Sequence, residues 1–173
     1  MKVRVFTKGD KVKITLQGMA IAEASVNDRY IAEFEIPFQP GRLEAIAYKA
    51  GNVIGKTVLR TASEPYRIEL KPEKVLLEPN RQDLSFIMVK LVDRGGNKIT
   101  DVDVPVEVSV TGNGELVGCG NASIDGMKSF NHVQFKTWRA YAQIIVRPYA
   151  KPGDIFVKVK SRFGESVVKL TVE

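Results

Sequence analysis

Three observations predict an all-β chain built as two antiparallel β-sandwiches in tandem. Apolar residues alternate with polar ones from end to end, turn residues interrupt the alternation at short intervals, and no window of a dozen residues carries the apolar stripe of an amphipathic helix. Without crossover helices a parallel sheet is disfavoured, and closely spaced turns point to hairpins.

The alternation is plainest at Val12, Ile14 and Leu16, at Ala32, Phe34 and Ile36, at Val106, Val108 and Val110, and at Ile155, Val157 and Val159. Each triplet predicts a half-buried strand, because residues two apart share one face. Between them lie Lys8-Gly9-Asp10, Gln39-Pro40-Gly41, Ala50-Gly51-Asn52, Arg94-Gly95-Gly96-Asn97 and Lys151-Pro152-Gly153. These supply the fixed φ of proline or the positive φ that glycine and asparagine tolerate. A boundary is expected in Leu59-Arg60-Thr61-Ala62-Ser63-Glu64-Pro65, after which a new strand pattern starts at Tyr66-Arg67-Ile68-Glu69-Leu70. The expected domains are therefore residues 1–62, with six short strands, and residues 65–173, with seven or eight, including the apolar run from Leu84 to Val92. A sandwich of some 60 residues buries only about 60% of its unfolded surface, so a short, stiff junction is expected. Residues 118–131 are the least regular segment and predict a long loop, the first place to look for ligand contact.

Composition excludes several classes. A hydrophobic fraction of 44% and a charged fraction of 27% are those of a globular chain, and no apolar run is long enough to span a bilayer, so no membrane partner is expected. The segment Met1-Lys2-Val3-Arg4-Val5-Phe6 lacks the apolar stretch of an export signal. Of the net charge of +6, most of the excess lies in residues 1–63, where Lys2, Arg4, Lys11 and Lys13 alternate with Val3, Val5, Val12 and Ile14. That pattern is a solvated strand face, and without interleaved aromatics it predicts no nucleic-acid partner. Cys119 is the single cysteine, which rules out an internal disulfide and a thiolate-rich metal site. Set between Gly118 and Gly120, it reads as a small buried apolar residue, and the compartment stays open.

Several stretches resemble known protein segments. In the first half, Val3-Arg4-Val5-Phe6-Thr7 followed by Val12-Lys13-Ile14-Thr15-Leu16-Gln17-Gly18, then Phe34-Glu35-Ile36-Pro37-Phe38-Gln39-Pro40-Gly41-Arg42-Leu43-Glu44-Ala45-Ile46-Ala47-Tyr48, then Leu59-Arg60-Thr61-Ala62, resemble the small immunoglobulin-like domain that follows the catalytic barrel in bacterial β-galactosidases of glycoside hydrolase family 2. In the second half, Gln82-Asp83-Leu84-Ser85-Phe86-Ile87-Met88-Val89 and Gly112-Asn113-Gly114-Glu115-Leu116-Val117-Gly118-Cys119-Gly120-Asn121 are similar to the terminal immunoglobulin-like domain of that family. Departures occur at Gln17, where asparagine is common, at Asn121-Ala122, where asparagine-glycine is frequent, and at Ala140-Tyr141, where glycine-arginine is often seen. The resemblance implies two immunoglobulin-like antiparallel β-sandwich domains in tandem, belonging to a retaining β-galactosidase that is periplasmic or secreted. The implied partners are the catalytic barrel and the other domains of the parent enzyme. The barrel's two glutamates have no counterpart here, so no catalytic residue is carried over.

The residues themselves offer little chemistry. Glu33 and Glu35 have roughly the spacing of a glycosidase carboxylate pair, but Ala32, Phe34 and Ile36 take the core face and leave both acids in water. Asp93, Asn97, Asp101 and Asp103 offer oxygen ligands for calcium, yet they fit no EF-hand spacing, and a turn closed by Asp and Asn side chains is the simpler account. His132, the single histidine, has no nucleophile elbow to serve. The glycines at 112, 114, 118 and 120 precede no helix that would cradle phosphate, and they read as bulges and tight bends. No cofactor and no metal site are expected. Trp138 and Tyr141 are the two candidates for glycan contact, weighed against a core or inter-domain role for a lone tryptophan in a strand pattern. The expected function is that of non-catalytic structural or accessory domains supporting the barrel and the rim of its cleft. The alternatives are a carbohydrate-binding module, with a glycan as partner, and a bacterial immunoglobulin-like adhesion or interaction domain.

Overall fold

A computed structural model describes residues 1–64, 66–124 and 129–173. Pro65, in the expected junction, and Asp125, Gly126, Met127 and Lys128, in the expected long loop, lie outside the described residues. The described residues form strands, turns and irregular connections, and the chain divides into two compact units, Met1–Thr61 and Ala62–Glu173.

The first unit holds six strands: β1 (Lys2–Phe6), β2 (Lys11–Leu16), β3 (Met19–Ser25), β4 (Ile31–Glu35), β5 (Arg42–Lys49) and β6 (Asn52–Arg60). Strands β1 and β4 pair as a two-stranded sheet, and the other four follow the order β3-β2-β5-β6. The alternation read from the sequence sends Val12 and Ile14 of β2, Ala32 and Phe34 of β4, and Leu43, Ala45 and Ala47 of β5 into one core, joined by Ile36. Two hairpins close through two-residue turns with both central residues at positive φ: Gln17 (52°) with Gly18 (86°), and Ala50 (47°) with Gly51 (81°). This turn geometry matches the right-handed twist of the strands it joins. Gln17 thus occupies the left-handed position that asparagine fills more easily. The basic side chains of β1 and β2, which lie in different sheets, are partly neutralised. Glu33 pairs with Arg4 at 2.7 Å and Lys2 at 3.7 Å, and Glu23 pairs with Lys11 at 2.9 Å.

The described residues of the second unit hold nine strands, where seven or eight were expected of it: β7 (Arg67–Pro72), β8 (Leu76–Leu77), β9 (Ser85–Val92), β10 (Pro105–Gly112), β11 (Gly114–Gly120), β12 (Gln134–Lys136), β13 (Tyr141–Pro148), β14 (Gly153–Ser161) and β15 (Gly164–Val172). Strands β8 and β12, of two and three residues, are too short to show a period. One sheet runs β11-β13-β9-β7 and the other β12-β10-β14-β15-β8. Every pairing is antiparallel except β8 with β15, which is parallel. The inner faces meet through Ile87, Val89 and Leu91 of β9, Ile144 and Val146 of β13, Val106 and Val108 of β10, and Ile155, Val157 and Val159 of β14, with Leu170 and Val172 of β15. Face-to-face packing of two such faces makes a sandwich.

The chain changes sheets at Gly112-Asn113-Gly114, leaving β10 in one sheet and starting β11 in the other. Gly112 has φ 91°, and a Cβ there would collide with the Asp154 carbonyl. The corner is closed by backbone hydrogen bonds, in which Asn113 N–H donates to Asp154 O at 2.8 Å and Tyr149 N–H donates to Asn113 O at 2.9 Å.

Candidate functional site

The outer face of the β11-β13-β9-β7 sheet carries an apolar groove of about 970 Å³. Its floor follows from register. A bulge between Leu116 and Gly118 resets β11 so that Cys119 turns inward, while Gly118 and Gly120 pair with Ile145 and Gln143 of β13. Gly118 to Gly120, expected as loop, are therefore strand, and the two glycines present no side chain to the outer face. Met88, opposite Gln143, lies on the same face, as does Tyr141 two residues before Gln143. Phe130 walls one side, its carbonyl accepting from Cys119 N–H at 2.8 Å.

Trp138 reaches the groove through a turn, not through a strand as expected from its sequence surroundings. Trp138 N–H donates to Tyr141 O at 2.8 Å and Tyr141 N–H to Trp138 O at 3.0 Å, and the central residues Arg139 and Ala140 have φ 48° and 75°. Both candidate aromatics line the one groove, Trp138 half-buried beside the half-buried Tyr141. The Arg139 guanidinium lies 4.9 Å from the Trp138 ring centroid and the Lys98 ammonium 5.4 Å from that of Tyr141. Cations at such distances are attracted by the ring quadrupoles. Sequence reasoning found the two aromatics by residue type. It missed Met88 and Ile145, whose place depends on cross-strand register.

No Asp or Glu lines the groove among the described residues. Besides the Trp138 indole, the Tyr141 phenol and the Cys119 thiol, its polar side chains are Thr100, Asn121, Arg139 and Gln143, and none of these four is a general acid or base at neutral pH. Cys119 is 3% exposed, its Sγ donating to His132 O at 2.7 Å, and burial pushes its thiol up, away from the reactive thiolate. Glu33 and Glu35 are exposed, and the hydrogen bond from Arg4, with the Lys2 charge, holds the Glu33 carboxyl below its usual range. A glycosidic acid needs the opposite shift. Among the described residues the groove offers an apolar and aromatic lining and no carboxylate pair for proton transfer.

Two of the acids weighed for calcium accept hydrogen bonds from the chain itself. Asp93 is buried, accepting from Asn97 N–H at 2.8 Å, Asn97 Nδ2 at 2.9 Å and Ser63 N–H at 3.2 Å. Asp103 accepts from Arg139 N–H at 3.1 Å. Among the described residues no three His, Cys, Asp or Glu side chains gather as a metal cluster. The Asn97 side-chain bond, followed by the backbone donors, lowers the Asp93 pKa. A depressed folded-state pKa adds stability above the ordinary carboxyl pKa, and that contribution disappears as pH falls through the folded value. Asp93→Asn is accordingly expected to lower the urea midpoint at pH 7, with the gap from wild type closing as pH is lowered below about 4. A gap that stays constant between pH 7 and pH 2 would remove the charge from this account.

Comparison with known proteins places this architecture. The family model described as glycoside hydrolase family 2 C-terminal domain 5 matches residues 68–167, more than half of the chain. The chain belongs to this family. A second model, described as a domain of unknown function (DUF4982), matches residues 1–55 of this family 2 chain. The β-galactosidase BoGH2A of Bacteroides ovatus is 26% identical over 97% of the chain and 20% of its own length. A solved family 2 glycosyl hydrolase of Bacteroides cellulosilyticus superposes on 99% of the chain and 23% of its own, with a TM-score of 0.94 and 26% identity. A solved family 2 β-glucuronidase covers 99% of the chain and 18% of its own with a TM-score of 0.90, at 18% identity a likeness of fold alone. The family 2 C-terminal chain thus spans about a fifth of the length of each of these three relatives.

Proposed function

We propose that this chain is the non-catalytic C-terminal part of a β-galactosidase-like glycoside hydrolase, in which it supports the catalytic barrel and contributes to the rim of its cleft. In this reading residues 1–62 form the small sandwich that follows the barrel and residues 65–173 the terminal one. The parent is a retaining enzyme, periplasmic or secreted, and its barrel and other domains are the partners. The observation that carries the reading is likeness along nearly the whole chain to a segment amounting to about a fifth of family 2 glycosidases. The lack of a carboxylate in the groove among the described residues supports it. The purified chain is expected to hydrolyse a nitrophenyl β-galactoside no faster than buffer, and turnover above that background would overturn the non-catalytic reading.

A second reading is favoured by the meeting of Trp138 and Tyr141 in one groove. There the aromatic faces take up a glycan of the polysaccharide being degraded. On a glycan array the chain is then expected to retain a sugar that Trp138→Ala releases, since the substitution removes the larger aromatic face of the groove. Equal retention by wild type and Trp138→Ala would dismiss the groove as a sugar site.

A further inference from the structure

Strand β6 is the least covered part of the first unit. It pairs with β5 on one side and forms the edge of its sheet, so one row of backbone N–H and C=O groups is unpaired within the sheet. All nine of its residues are exposed. The cause is a mismatch between the two sheets. Four strands span about 14 Å across the sheet and two span about 5 Å, so the β1-β4 pair does not cover its partner sheet fully. The first unit's core residues come from β2, β4 and β5 and from Ile36, and the half-buried side chains packed on that core include none from β6.

The side chains of β6 do not suit a solvated edge. Val53, Ile54, Val58 and Leu59 are 50%, 48%, 37% and 64% exposed. Register places them on both faces. Leu59 lies opposite the buried Leu43 and so shares the core side, whereas Val58 lies opposite Glu44 on the other side. An edge strand exposed to water is ordinarily protected by charge, proline or shortness. Here nine residues carry two charges, Lys56 within the strand and Arg60 at its end, and no proline. A strand apolar on both faces is suited to burial between layers.

We infer that β6 is an interaction strand, covered on its free edge and both faces by the remaining part of the parent glycosidase. This rests on the proposed place of the chain in a larger enzyme. The occupant is argued from length, since the chain spans 20% of BoGH2A and 23% of the solved Bacteroides cellulosilyticus enzyme, leaving some four-fifths of such a protein to supply the cover. The chemistry required of that cover is an apolar surface with backbone groups or side chains that satisfy the open edge.

Hydrogen exchange of residues 52–60 in the isolated chain and in the full-length enzyme that carries it tests the inference. Exchange is expected to be at least about tenfold slower in the full-length protein, because covered edge amides exchange only after local opening. Val53→Lys with Val58→Lys is expected to lower the full-length enzyme's Tm by about 5 °C while leaving the isolated chain within about 2 °C, since both residues face water there. Equal exchange in the two proteins, or an unchanged full-length Tm, would overturn the inference. So would concentration-dependent dimerisation of the isolated chain abolished by the double substitution, which would make a second copy the occupant. Glycosidase assays of the full-length protein separate the two readings. An inactive protein with a protected β6 sinks the enzymatic assignment alone, and an active one with an unprotected β6 sinks the docking strand alone.

Discussion

Gly112→Val is expected to destabilise the second unit by about 3 kcal/mol or more, combining a left-handed φ with overpacking. At φ 91° an L side chain is strained whatever the space around it, and here its Cβ also meets the Asp154 carbonyl. Neither partner can yield cheaply. Asp154 O accepts the Asn113 N–H bond that closes the corner between sheets, so moving it breaks the crossing. Gly164 supplies the control, because it has φ 108° but open space within 4 Å of where a Cβ would sit. Gly164→Val, with the same side chain, is expected to cost only the backbone strain, about 1–3 kcal/mol. Urea unfolding followed by fluorescence of the single tryptophan, Trp138, compares the two. Equal losses would show that the Asp154 contact adds nothing.

Ile144→Ala is expected to cost about 2–5 kcal/mol, and Ile144→Val about 0.5–1.5 kcal/mol. Ile144 is fully buried on β13, the strand flanked by β9 and β11, and lies opposite Ile87 on one side and Cys119 on the other. Strands fixed on both edges cannot close over the void, so the larger part of that range applies. A midpoint shift with an unchanged denaturant slope is the expected signature. A loss below about 1 kcal/mol for the alanine variant would mean that the sheet collapses around the gap.

The strands were legible because one face of each is buried and the period of two exposes that fact. Ile155, Val157 and Val159 are the clearest instance, all three fully buried on β14. The turn at Arg139-Ala140 was not legible, since neither residue is a usual occupant of positive φ. Its conformation is imposed by the two hydrogen bonds joining Trp138 and Tyr141. In sequence Gly118 and Gly120 read as loop because glycine commonly breaks strands, whereas in the structure a bulge and the pairing with β13 hold them in register. The groove was half legible. Trp138 and Tyr141 stand out by type, but Met88 lies some fifty residues away and joins them only because β9 and β13 are hydrogen-bonded neighbours.

The parallel pairing of β8 with β15 has a kinetic consequence. Leu77, almost fully buried, belongs to a strand whose sheet partner is translated more than ninety residues later. Until that segment arrives, the early strand has no ladder to join and the β12-β10-β14 sheet lacks its rim. Closure at such sequence separation makes assembly slow, and a nascent chain stalled before β15 would display its greasy interior to chaperones or to other copies.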